Sequence, residues 1–136
     1  MFNRINHIGI VVSNIEDAVD LFSKLFGFES RGPIETLPDM DIRDIMVSNG
    51  DVTLELMEPL GPESSMGKFL EKNGEGLHHI SLEVDDITQT FEDLSEKGVS
   101  LVGKEPVTLD DAMLGFVHPR STKGVLIEMI QPLIKK

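Results

Sequence analysis

The sequence predicts an α+β fold made of two tandem modules, each a strand, a helix and then three strands. Three observations lead there: an internal repeat, a change of hydrophobic period inside each half, and carboxylates set within the apolar runs that close the halves. Residues 6–15 read NHIGIVVSNI and residues 78–87 read HHISLEVDDI. At an offset of 72, His7 falls on His79, Ile8 on Ile80, Ile10 on Leu82, Val12 on Val84 and Ile15 on Ile87. Val52-Thr53-Leu54-Glu55-Leu56 matches Val125-Leu126-Ile127-Glu128-Met129 at an offset of 73, and a Pro-Leu pair follows each, Pro59-Leu60 and Pro132-Leu133. A repeat of this length sets the architecture: modules 1–60 and 77–136, joined by a linker over 61–76, in one domain spanning 1–136.

Each module opens on a strand. Ile8, Ile10 and Val12 alternate with His7, Gly9 and Val11, and Ile80, Leu82 and Val84 alternate with His79, Ser81 and Glu83, the period of a half-buried strand. A helix follows in both. Ser13 or Asn14 can cap the first, whose apolar residues Ile15, Ala18, Val19, Phe22 and Phe26 recur at helical spacing up to Gly27. Asp85 or Asp86 can cap the second, with Ile87, Phe91 and Leu94 on one face and Lys97-Gly98 at its end. Short apolar runs then punctuate each half: 28–31, 42–47 and 52–58 in the first, 99–102, 113–117 and 124–130 in the second. Asn49-Gly50-Asp51 is a hairpin signal between two of them. The linker carries a short helix with Met66, Phe69 and Leu70 on one face.

Composition narrows the function. The chain has 136 residues, a length that one domain accommodates, and a net charge of −12. Such a surface repels phosphates, which argues against nucleic acid, and the basic groups between Arg120 and Lys123 are the one local exception. No apolar run approaches the roughly 20 residues that span a bilayer. The N-terminal residues lack the basic-then-apolar layout of a signal peptide, so a cytoplasmic protein without membrane contact is expected. With no Cys, there is neither a disulfide framework nor a thiol nucleophile, and a metal must use His, carboxylate or amide ligands.

Alternation assigns the faces. The aliphatic residues of the opening strands face their helices, so His7 and His79 face the other way. In the closing strands Val52, Leu54 and Leu56 leave Thr53, Glu55 and Met57 on the opposite face, as Val125, Ile127 and Met129 leave Leu126, Glu128 and Ile130. If a pseudo-twofold axis relates the halves, His7, Glu55, His79 and Glu128 converge on one point. Two imidazoles and two carboxylates suit a divalent first-row ion such as Mn, Fe, Co, Ni or Zn. A lone His or Glu of this kind is more often a core or surface residue; the case rests on its repetition in both halves. His78 and His118 have no counterpart under the repeat and read as structural.

These residues resemble the vicinal oxygen chelate superfamily (glyoxalase, bleomycin resistance, dioxygenase), whose members pair two βαβββ modules into a cup-shaped mixed sheet around one metal. More narrowly, Glu55-Leu56-Met57-Glu58-Pro59-Leu60-Gly61-Pro62, Lys68-Phe69-Leu70-Glu71-Lys72 with Gly76-Leu77-His78-His79-Ile80, and the run from His118-Pro119-Arg120-Ser121 to Leu126-Ile127-Glu128 resemble methylmalonyl-CoA epimerases. The resemblance implies a metal-dependent epimerase that interconverts (R)- and (S)-methylmalonyl-CoA by proton transfer at C2. It implies metal ligands at His7, His79 and Glu128, with Glu55 where relatives carry Gln or Glu, and a divalent Co, Mn, Ni or Zn. Of the two bases such a reaction needs, Glu128 is one candidate. Asp44 is the other, in a stretch where relatives with a second base carry Glu. Arg120 and Lys123 are candidates for contacting an acyl-CoA substrate, and a homodimer is expected.

The family pattern is not matched everywhere. Many epimerases carry a GAHG-like turn before the strand at 113–117, where this chain reads Val107-Thr108-Leu109-Asp110-Asp111-Ala112 and is shorter. The nearest rival is a glyoxalase I type lactoylglutathione lyase acting on a thiol hemithioacetal, whose His, Glu, His, Glu ligands match the same four positions. A second alternative is a metal-free ligand-binding or resistance protein of the same fold, which would lack that set. A ring-cleaving dioxygenase fits less well, since such enzymes recruit Tyr and this chain has none.

Overall fold

In the computed structural model, which describes residues 2–133, strands and helices follow in the order β1 (Phe2–Val11), α1 (Ile15–Phe26), β2 (Glu29–Ser30), β3 (Glu35–Leu37), β4 (Ile42–Asn49), β5 (Val52–Pro59), α2 (Ser65–Asn73), β6 (Gly76–Val84), α3 (Ile87–Glu96), β7 (Leu101–Thr108), β8 (Ala112–Val117) and β9 (Ile127–Pro132). This is the expected α+β class. Met1 and residues 134–136, the outer ends of the expected modules, lie outside the described residues. Contacts gather in two units: residues 7–78, and the residues up to Asn6 together with those from His79 onward.

In the unit formed by residues 7–78 the strand order is β2–β4–β5–β1, with β3 also on β4. β1 runs parallel to β5, with Ile8 opposite Leu54, Gly9 opposite Glu55 and Val11 opposite Met57. β4 and β5 form the hairpin signalled by Asn49-Gly50-Asp51, and Gly50 supplies the left-handed turn conformation at φ 61°. α1 starts where the Asn14 side chain accepts from the Asp17 amide and ends at Gly27, φ 74°. Its Ile15 is buried, and half-buried Ala18, Val19 and Phe22 pack with it on Val12, Ile45, Val47, Leu54 and Leu56. Phe26, expected on that face, is 56% exposed. It is the last helical residue, and Phe28 beyond the Gly27 turn packs on the cluster instead, edge-on to Phe22. Arg43 ties β4 to α1 and β5 through Glu16 and Glu58.

α2 begins where the Ser64 hydroxyl accepts from the Gly67 amide. Gly67 packs so tightly that a Cβ there would lie 2.1 Å from the Gly61 carbonyl oxygen, so only glycine lets the helix lie on the linker's start. His78 stacks edge-on against Phe69 at 4.7 Å between ring centroids. Glu75 accepts from both the amide and the hydroxyl of Ser13.

The other unit has the order β6–β9–β8–β7, and Arg4 and Asn6 of β1 both hold Glu83 of β6. β6 runs parallel to β9, with Ile80 opposite Ile127 and Ser81 opposite Glu128. Asp86 caps α3 by accepting from the Gln89 amide, and Ile87 and Phe91 pack on Val84, Val117 and Met129.

The strands differ from expectation in three places. β3 is additional: it pairs Glu35, Thr36 and Leu37 with Asp44, Arg43 and Ile42, and three residues between Pro33 and Pro38 carry no hydrophobic period. β7 runs on to Thr108, so Val107 and Thr108, read as turn, pair with Leu114 and Met113 after a shift of register. Gly103 at φ 80° lies within the shifted stretch. β9 starts at Ile127 and not at 124, because Lys123 and Gly124 turn at φ 60° and 89°.

Gly115 faces α3, where a Cβ would meet the Phe91 ring at 2.3 Å. Gly115→Ala should therefore cost about 1–3 kcal/mol through overpacking. Urea unfolding of the variant checks this, and an unchanged midpoint would show that the ring gives way.

Candidate functional site

The face of each sheet that points away from its helix is built by strand parity. In the first unit Ile8 and Ile10 pack toward α1, which leaves His7, Gly9 and Val11 on the far face of β1. Thr53, Glu55 and Met57 of β5 and Asp44, Met46 and Ser48 of β4 share that face. His7 is 3% exposed, and its Nε2 lies 3.3 Å from Glu55 Oε1. Asp44 donates to Glu55. Burial above all, and then this hydrogen bond, push its carboxyl up to about 8; the charges of Glu55 and Glu35 act in the same direction and His7 against it. Burial and the neighbouring carboxylates thus favour the protonated form of Asp44. Arg31 reaches the same face, donating to the hydroxyls of Ser48 and Thr53.

In the second unit Val84, Met129 and Val117 pack on α3, so His79, Ser81 and Glu83 of β6, Glu128 of β9 and Ala112, Leu114 and Phe116 of β8 occupy the far face. His79 and Glu128 are buried at 6% and 5% exposure, with Nε2 and Oε1 3.1 Å apart. Each unit therefore brings one buried imidazole onto one carboxylate at matching places. The surroundings differ. Phe116 lies opposite Glu128 where Met46 lies opposite Glu55, so Leu114 stands where the first unit has Asp44.

Of the other residues singled out in the sequence, Arg120 is exposed and its guanidinium donates to the Ser100 hydroxyl. Lys123 lies exposed on the turn before β9. His118 accepts from the Arg120 amide through Nδ1, which starts a short 3-10 turn. Ser81, Leu114 and Phe116 were not singled out, although parity puts Ser81 with His79 and separates Leu114 and Phe116 from Met113 and Val117.

The raised carboxyl of Asp44 makes a stability prediction. A group that holds its proton more tightly when folded stabilises the fold most at low pH, and that contribution is lost as pH rises from about 4 to about 8. Chelator-treated protein should therefore lose stability from about pH 5 to about pH 8. Asp44→Asn, which keeps a donor toward Glu55, should lose less over that interval. Urea midpoints at the two pH values check it; equal losses in both proteins would refute it.

Comparison with known proteins places this arrangement. The family model described as Glyoxalase/Bleomycin resistance protein/Dioxygenase superfamily matches residues 6–117. The ethylmalonyl-CoA/methylmalonyl-CoA epimerase of Cereibacter sphaeroides is 34% identical over 96% of this chain and 99% of its own length. A variant of Streptomyces coelicolor methylmalonyl-CoA epimerase in complex with 2-nitronate-propionyl-CoA superposes with a TM-score of 0.88 at 32% identity, covering 97% of this chain and 96% of that one. A methylmalonyl-CoA epimerase in complex with methylmalonyl-CoA and NH4+ gives the same TM-score, identity and coverage. The chain belongs to the glyoxalase/bleomycin resistance protein/dioxygenase superfamily and, within it, to the methylmalonyl-CoA epimerase family of enzymes.

Proposed function

We propose that this protein is a metal-dependent epimerase that interconverts (R)- and (S)-methylmalonyl-CoA by moving the proton at C2. The observation that carries the reading is the paired one: a buried imidazole against a carboxylate in each unit, His7 with Glu55 and His79 with Glu128, in a chain of that family. Carboxylates in apolar strands are costly unless a cation or donors compensate them. Imidazole nitrogens with carboxylate oxygens fit a divalent first-row ion, so the residues present suit a metal held by His7, His79, Glu128 and Glu55. We read residues 1–136 as one domain in which each module supplies half of this set.

C2 of the substrate lies between a thioester and a carboxylate, and removing its proton adds negative charge beside one already there. A divalent ion at the four residues supplies Lewis-acid stabilisation of that charge. The rest falls to the chain. Glu128 takes the proton on one face of C2. Asp44 returns one on the opposite face, its burial disfavouring the ionised form. The apolar flank of Glu128, formed by Leu114 and Phe116, limits water that would compete for the proton. Arg120 and Lys123 contact the phosphates of coenzyme A, and Arg120 is pre-oriented by Ser100.

Turnover of single enantiomers in deuterated water tests the reaction. The metal-replete protein should incorporate deuterium at C2 and interconvert the enantiomers. Glu128→Gln should lower the rate roughly 100- to 10,000-fold, whereas Asp44→Asn should still exchange the proton of one enantiomer while losing interconversion. Absence of deuterium at C2 would rule the epimerase out. Equal metal content in wild type and in a His7→Ala/His79→Ala double variant would rule out the metal site.

A further inference from the structure

Ser81 is fully buried, and its hydroxyl oxygen has no hydrogen-bond partner among the described residues. Other polar side chains in the interior of its unit are engaged. Thr90 donates to the Asp86 carbonyl, and Gln131 accepts from the Ile87 amide. Glu83, two residues along the same face of β6, accepts from Arg4 and Asn6. A hydroxyl kept in the interior without a partner carries a desolvation cost that alanine would avoid, so its retention needs a reason.

The register supplies one. Ser81 is the strand partner of Glu128, and both side chains lie on the face turned away from α3. Adjacent strands are about 4.8 Å apart, so rotation about the Ser81 Cα–Cβ bond swings the hydroxyl toward the Glu128 carboxylate. An ionised carboxylate has about four acceptor positions, enough for a ligand contact and a donor together. The repeat sharpens the point, because Gly9 occupies the matching place opposite Glu55. Glu55 instead receives the hydrogen bond of Asp44, a position filled by Leu114 beside Glu128.

We propose that Ser81 is a positioning residue whose hydroxyl donates to the Glu128 carboxylate in the metal-loaded protein and fixes its orientation as a ligand. This rests on the reading of Glu128 as a metal ligand. A donor of this kind stiffens the carboxylate and opposes rotation away from the ion, as outer hydrogen bonds to metal ligands generally do.

Titration of chelator-treated protein with Co2+, followed by the visible absorption of the bound ion, tests it without any assay of turnover. Ser81→Ala should weaken Co2+ binding roughly 10- to 100-fold and alter the absorption band, with no loss of thermal stability in the chelator-treated form. In a Glu128→Gln background the same substitution should have no further effect on Co2+ affinity, because the residue it acts through is changed. Unchanged affinity and spectrum in Ser81→Ala would overturn the proposal, as would an equal additional loss in the Glu128→Gln background. Failure of the wild-type protein to take up Co2+ would overturn the metal reading itself, and this proposal with it.

Discussion

A carboxylate enclosed in an apolar strand is the constraint on which the rest of this structure depends. Glu128 lies in β9 between Ile127 and Met129, and Met129 is part of the core beneath α3. Glu55 lies in β5 between Leu54 and Leu56, both in the core beneath α1. Strand parity forces each glutamate onto the face opposite its aliphatic neighbours. The parallel partner strand then sets which residues stand beside it, Gly9 for Glu55 and Ser81 for Glu128. The histidines lie two residues earlier on those partner strands and on the same face. The His–Glu contact is thus a consequence of pairing register, and a slip of one residue would turn the imidazole into the helix-side core.

The charges nearer the surface of this acidic chain are compensated differently. Several basic side chains are engaged by carboxylates: Arg43 by Glu16 and Glu58, Arg4 by Glu83, Lys24 by Asp20. Those pairs lie wholly or partly in solvent and contribute little to stability individually. Arg31 and Arg120 differ, being held by the neutral hydroxyls of Ser48, Thr53 and Ser100. A hydroxyl orients a guanidinium without cancelling its charge. On a protein at −12, these two guanidinium groups keep their positive charge against the surrounding field.

Much of this was legible in the sequence because it depended on period and repetition. His7, Glu55, His79 and Glu128 could be assigned to faces from the alternation of Ile8, Leu54, Ile80 and Ile127 alone, and Asp44 from Ile45 and Val47. Helix starts were legible through Asn14 and Asp86, whose side chains can take an amide three residues on. What escaped depended on pairing. β3 exists because the edge of β4 accepts it, and its own three residues give no signal. Val107 and Thr108 join β7 only through a shifted register opposite β8. Phe26 continues the helical stripe in sequence, yet Phe28 reaches the core from beyond the turn and displaces it. Ser81 had the right parity, but its significance is energetic and appears only when the surrounding hydrogen bonds are accounted for.

The departures from symmetry between the units bear most directly on chemistry. A repeat copies a scaffold, and two identical halves would give two identical carboxylate environments. Epimerisation at one carbon needs one group that takes a proton and one that gives it, and unlike environments separate the pKa values of such groups. Around Glu55 the chain places a second carboxyl, Asp44, whose burial and hydrogen bond to Glu55 raise its pKa. Around Glu128 it places Leu114 and Phe116, with no second carboxyl at the Asp44 position. The duplicated elements account for one buried imidazole against one carboxylate in each unit. The unduplicated side chains, Asp44 against Leu114 and Gly9 against Ser81, give the two carboxylates unequal surroundings, so the proton affinities of matching groups can differ between the units.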